Sequence, residues 1–164
     1  MEPIISPNLT TLLKDKHLLL DTNVFIDASF HLTFFTKLFT DLTSCGTTLV
    51  TSDLVKSEFL KGAPDNSAYS TKELFLNRFA KFTLPTDQEV IKNIDYLIKE
   101  YKLDGQNVSI VDLSLGGLLK KYGDNLLLMT KNVNDFPIRI FKLVGVINFP
   151  KDKGIYSYGV YSIN

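Results

Sequence analysis

The chain has 164 residues, 45% of them apolar, and its 18 basic and 18 acidic side chains cancel. That length suits one domain with a real core, and the apolar share is ordinary for a globular protein. Zero net charge excludes nucleic-acid binding driven by bulk electrostatics, so any such site must be a local patch.

Lys supplies nearly all the positive charge, the only Arg being Arg78 and Arg139. Cys45 is alone, which rules out an intrachain disulfide and fits a reducing cytoplasm, the expected location. No apolar run approaches a membrane span, and Met1 to Pro7 lacks a basic stretch followed by an apolar one. The sequence predicts a soluble domain with no membrane partner.

The first 16 residues read as an extended lead and a short helix, Asn8 to Lys14. Leu18-Leu19-Leu20 predicts a short buried strand at 17–21, followed by a helix at 23–30. Leu32, Phe35, Leu38, Phe39 and Leu42 recur at helical spacing up to Gly46. Thr47 to Thr51 is β-branched and reads as a strand, and Ser52 and Asp53 can cap a helix from Leu54 to Lys61. Residues 63–70 read as a polar loop before a helix at 71–79 and a short strand ending near Leu84. From Thr86 an amphipathic helix carries Val90, Ile91, Ile94, Leu97 and Ile98 on one stripe, and Asp104-Gly105 marks a turn. Ser109 opens a helix to Tyr122, Leu126 to Thr130 is a buried strand, Arg139 to Asn148 gives another, and Gly154 to Ile163 alternates as terminal β structure. Strands alternating with helices predict a parallel sheet with right-handed crossovers.

Four acids stand out. Asp21 falls where the first buried strand ends, and ligands of open α/β sheets bind at the carboxyl ends of strands. Asp also caps helices well, so a cap is its plainer reading. Glu58 lies in the helix after the second strand, and its plainer reading is a surface pair with Lys61. Asp112 is the only charge in a long apolar helix segment; Ser109-x-x-Asp112 resembles a capping box. Asp135 lies in a loop after the buried strand, where a turn role is ordinary.

The order strand-Asp21-Thr22-Asn23, helix-Glu58, helix-Asp112, strand-Thr130-Lys131-Asn132-x-x-Asp135-Phe136 resembles the PIN-domain ribonucleases, including toxins of the VapC type. The resemblance covers residues 17 to 149, and Leu20 to Asn23 and Thr130 to Phe136 are its specific parts. It implies a three-layer α/β/α sandwich with a central, mainly parallel sheet. One PIN-like domain over 1–164 is expected, with its core at about 17–149, an N-terminal lead 1–16 and a C-terminal β extension 150–164. It further implies that Asp21, Glu58, Asp112 and Asp135 converge on divalent metal, supported by Thr22, Asn23, Thr130 and Asn132.

Physics points the same way. Two carboxylates 4 Å apart repel by roughly 4 kcal/mol at an effective dielectric near 20. A cluster of them takes up protons or a cation. An all-oxygen set suits Mg²⁺ or Mn²⁺; the two His and one Cys show no zinc-ligand spacing. Such a site suits metal-dependent phosphodiester hydrolysis; the resemblance implies that the substrate is RNA, and that an antitoxin protein is the partner if the chain is a toxin. The alternative is a catalytically silent PIN scaffold that binds RNA or protein. A phosphatase with an Asp nucleophile fits less well, because Asn23 replaces the second acid.

Lys120, Lys121, Lys131, Arg139 and Lys142 are candidates for holding RNA phosphates, against the plainer reading of a solvated face. Tyr156, Tyr158 and Tyr161 suit strand packing or homodimer contacts better than base stacking. Gly116-Gly117, inside a helix, predicts close helix-to-sheet packing.

Overall fold

The computed structural model describes residues 2–151 and 154–164, with the side chains of 103–105 and 151 outside that description. Its elements run β1 (Ile4–Ile5), α1 (Leu9–Leu13), β2 (His17–Leu20), α2 (Thr22–Phe30), α3 (Leu32–Ser44), β3 (Thr48–Ser52) and α4 (Asp53–Lys61). They continue with α5 (Asn66–Phe79), β4 (Phe82–Leu84), α6 (Gln88–Tyr101), α7 (Ile110–Tyr122), β5 (Leu126–Thr130), β6 (Phe141–Lys151) and β7 (Gly154–Ile163). Short 3-10 turns at Lys102–Asn107, Gly123–Asn125 and Val133–Asp135 join the later elements.

All seven strands form one sheet in the order β1-β6-β7-β5-β2-β3-β4. β5, β2, β3 and β4 are parallel, while β7, β6 and β1 add antiparallel pairs on the β5 side. The expected α/β sandwich is present, and its parallel centre carries the predicted βα units. The C-terminal segment supplies β7, which lies between β5 and β6 and pairs Thr130 with Gly159.

The chain steps from β2 to β3 to β4 in one direction and then returns to β5 on the other side of β2. Right-handed crossovers place α2 to α5 on one face and α6 and α7 on the other. The direction reverses between β2 and β5. The crevice beyond the carboxyl ends of these two strands is therefore the topological switch point, where such sheets bind ligands.

β2 and β5 are buried on both faces, which explains their unbroken Leu runs. Phe34, Phe35 and Phe149 form an aromatic group against the α3 face, with Phe34 and Phe149 stacked at 4.0 Å. α3 ends at Ser44, just before Gly46, whose φ of +90° is a left-handed conformation that other residues adopt at a cost.

Two expectations change. The helix predicted at 71–79 begins at Asn66, because the Asp65 carboxylate accepts the Ala68 N–H at 2.8 Å and starts it ahead of the apolar pattern. The Gly116-Gly117 pair serves helix-to-helix as much as helix-to-sheet contact. A Cβ on Gly116 would lie 2.9 Å from Leu97 Cδ1 and from Phe141 Cζ, and one on Gly117 would lie 3.1 Å from the Val90 carbonyl. Leu97 and Val90 belong to α6, so the glycines let α6 and α7 approach closely. Among the described residues no helix is long and apolar enough to cross a membrane.

Candidate functional site

Asp21 follows β2 directly, and its N–H still bonds the Met129 carbonyl of β5 at 3.2 Å. It is also the N-cap of α2, accepting the Thr22 N–H at 2.6 Å. The cap and the site are thus one residue: capping uses Oδ1 and leaves Oδ2 facing its neighbours. Oδ2 accepts from Thr130 Oγ1 at 2.6 Å and from Asn23 Nδ2 at 2.5 Å. Thr130 is fully buried at the end of β5 and also receives the Asn132 N–H at 2.9 Å and Asn23 Nδ2 at 3.1 Å.

A cavity of about 260 Å³ opens at this switch point. It is lined by Asp21, Thr22, Asn23, Ile26, Glu58, Ser109, Asp112 and Asn132. Three of the four predicted acids, from β2–α2, α4 and α7, therefore share one cavity. Glu58 accepts a hydrogen bond from Thr22 Oγ1, not an ion pair from Lys61. Asp112, only 7% exposed, accepts from Ser109 Oγ at 2.5 Å, while its own N–H donates to that oxygen at 3.1 Å. Ser109 is the N-cap of α7, and its hydroxyl, rather than its backbone N–H, holds the Asp112 carboxylate in place.

Asp135 does not line the cavity. It ends a 3-10 turn near Asp112, and burial, then the Asp112 charge, raises its carboxyl above the usual range. The turn is pinned from α6, where the Tyr101 hydroxyl donates to the Asp135 carbonyl at 2.5 Å and Arg139 donates to the Tyr101 carbonyl at 2.8 Å.

Electrostatics mark Asp21 most strongly. Its carboxyl is pushed from 3.8 up to about 6, first by burial and then by the Asp112 and Glu58 charges. Hydrogen bonds from Thr130 and Thr22 offset part of this. The donors are all oxygen, which fits a hard divalent cation in chemistry. In spacing, among the described residues no group of three or more His, Cys, Asp or Glu closes on a point that could hold an ion. Glu58 and Asp112 are instead turned onto Thr22 and Ser109.

None of the candidate phosphate-binding cations lines the cavity. Lys120 and Lys121 lie in the last turn of α7, about 12 Å or more along the helix from Asp112 at 1.5 Å per residue. Lys121 pairs with Asp87, Lys120 sits over the Tyr96 ring, and Arg139 binds carbonyls of α6. Lys131 pairs with Asp27 at 2.6 Å.

Sequence reasoning missed Asp27, and it gave Tyr158 only strand packing or homodimer contacts. Tyr158 is fully buried, and its hydroxyl donates to Asp27 Oδ2 at 2.7 Å. Burial, then this bond to Asp27, raises its phenol far above the usual range. Asp27 lies one helical turn after Asn23, a local signal, but its partners are more than 100 residues away.

No model of a known protein family matches this chain, and no curated protein matches it.

Proposed function

We propose that this chain is a PIN-like, divalent-metal-dependent endoribonuclease. The observation that carries the reading is the meeting of Asp21, Glu58 and Asp112 around one cavity at the switch point of the sheet. Three carboxylates around an opening of that size repel a phosphodiester and one another. A hard cation, Mg²⁺ or Mn²⁺, held by Asp21, Glu58 and Asp112 would reverse both effects. When bound, such an ion supplies an acidified water and neutralises charge on the phosphoryl group.

The chain's own residues do the rest. Asp21 is held on three sides by Thr22, Asn23 and Thr130, so its free edge is fixed. Glu58 and Asp112, which accept from Thr22 and Ser109, would hold the cation together with Asp21. Asp135 sits beyond Asp112 and adds charge to that side of the site. Water attacks phosphorus and releases a proton to solvent, the P–O3′ bond breaks, and the departing 3′ oxygen takes a proton from solvent. The products carry a 5′-phosphate and a 3′-hydroxyl. Neither His17 nor His31 lies in the cavity to serve as base for attack by a 2′-hydroxyl.

The test is cleavage of total cellular RNA by wild type and by Asp21→Asn. The reading expects cleavage by wild type that needs Mg²⁺ or Mn²⁺ and stops in the variant. Persistence in Asp21→Asn, or in excess EDTA, would refute it. A second reading, a silent scaffold that binds RNA or protein, draws on the absence of three carboxylates already closed on one point among the described residues. It predicts no Mn²⁺ binding. The toxin role with an antitoxin partner rests on the family resemblance alone. A small DNA-binding protein encoded next to this chain would support it.

A further inference from the structure

Asp27, Lys131 and Tyr158 form a polar cluster outside the cavity's lining. One oxygen, Asp27 Oδ2, accepts both Lys131 Nζ at 2.6 Å and the Tyr158 hydroxyl at 2.7 Å. The Lys131 ammonium also lies 5.0 Å from the centre of the Tyr156 ring. The cluster thus ties α2 to β7 and to the residue that follows Thr130. At the other end of this residue the Lys131 N–H donates to Asn23 Oδ1 at 3.2 Å.

That last bond decides how the Asn23 amide faces. With its oxygen taken by Lys131, its NH₂ must point toward Asp21 Oδ2, at 2.5 Å, and Thr130 Oγ1, at 3.1 Å. Reversal of the amide would set its oxygen against the Asp21 carboxylate and its NH₂ against the Lys131 N–H. We propose that Asp27 is a positioning residue: it pins Lys131, the Lys131 amide sets Asn23, and Asn23 aims the Asp21 carboxylate into the cavity. Outer partners of metal-ligating groups act in this way, and their loss commonly weakens metal binding 10- to 100-fold. The consequence for metal binding rests on the reading given under Proposed function; the positioning itself does not.

The test has two readouts. In ¹⁵N-labelled protein without metal, the Asn23 side-chain NH₂ pair is the one that disappears in Asn23→Ala. Asp27→Ala should shift or broaden that pair, whereas Asp27→Asn, which keeps an acceptor oxygen, should largely retain it. An Asn23 pair unmoved in Asp27→Ala overturns the proposal. Lys131→Met, which removes the same bond from its other end, gives the same reading if Asp27→Ala does not fold. Lys121→Met, which breaks a separate ion pair with Asp87, should leave the pair in place.

The second readout is Mn²⁺ affinity from the free-ion electron paramagnetic resonance signal. Asp27→Ala should weaken binding by about tenfold. In an Asn23→Ala background the same substitution should add nothing, because its route is already cut. Additive losses would overturn the proposal. Wild type that binds no Mn²⁺ would refute the metal reading alone, and the NH₂ pair would still decide the positioning.

Discussion

Replacing Asp112 by Asn removes a charge while keeping size and an acceptor oxygen for Ser109. In metal-free buffer the variant should be the more stable protein. The shift of Asp21 from 3.8 to about 6 corresponds to about 3 kcal/mol at 1.36 kcal/mol per unit. Burial is its first cause and Asp112 the larger of its two repelling charges, so removing that charge recovers about 0.5–1 kcal/mol. For a domain of this size that raises Tm by about 1–4 °C. Mn²⁺ at 100 times its Kd should stabilise wild type by about 2.7 kcal/mol, or about 5–10 °C. If the variant binds tenfold more weakly, the gain at the same concentration falls to about 1.4 kcal/mol. The assay is a thermal melt of both proteins in EDTA and in Mn²⁺. Equal Mn²⁺-induced shifts would remove Asp112 from the site. A variant less stable than wild type in EDTA would refute the electrostatic argument.

Three further outcomes follow from the geometry. The folded-state value for Asp21 lies above the unfolded one, so its stabilising contribution is full below pH about 4 and is lost as pH rises through about 6. In EDTA, urea denaturation should therefore show wild type losing up to about 3 kcal/mol relative to Asp21→Asn between pH 4 and 7; a constant difference contradicts this. Gly116→Ala gains about 1 kcal/mol of helix propensity. It pushes a methyl to 2.9 Å from Leu97 and Phe141, so overpacking of about 1–3 kcal/mol should lower its urea midpoint, and an unchanged or higher midpoint would show that the α6–α7 contact yields. Thr51→Val should raise stability by about 1–2 kcal/mol, because the buried Thr51 hydroxyl has no partner among the described residues; a fall in Tm would reveal a bond that this hydroxyl makes.

The fold was readable where local pattern and burial agree. Leu18-Leu19-Leu20 and Leu126 to Met129 are strands buried on both faces, and unbroken apolar runs are their signature. Asp21 was legible because a charge cannot continue such a run. Asp112 was legible because a lone charge among Val and Leu needs a reason. Glu58 carries no local signal beyond its place after β3, and only the packing of α2 against α4 brings it to Thr22. The start of α5 was missed because one capping carboxylate, not apolar spacing, sets it. The Asp27–Tyr158 bond joins residues 131 apart in the chain, and Lys131 looked like a free cation because its partner lies on another element. The distance of Lys120 and Lys121 from Asp112 could have been counted from helix rise alone.

The central claim is that water, at the Asp21 cavity, breaks an RNA phosphodiester. RNA cleaved in ¹⁸O-water with Mn²⁺ tests this directly by mass spectrometry of the product ends. The account predicts 5′-phosphates carrying one ¹⁸O and 3′-hydroxyls, with no product from Asp21→Asn. Ends bearing 2′,3′-cyclic phosphate, or the same products from Asp21→Asn, would contradict it.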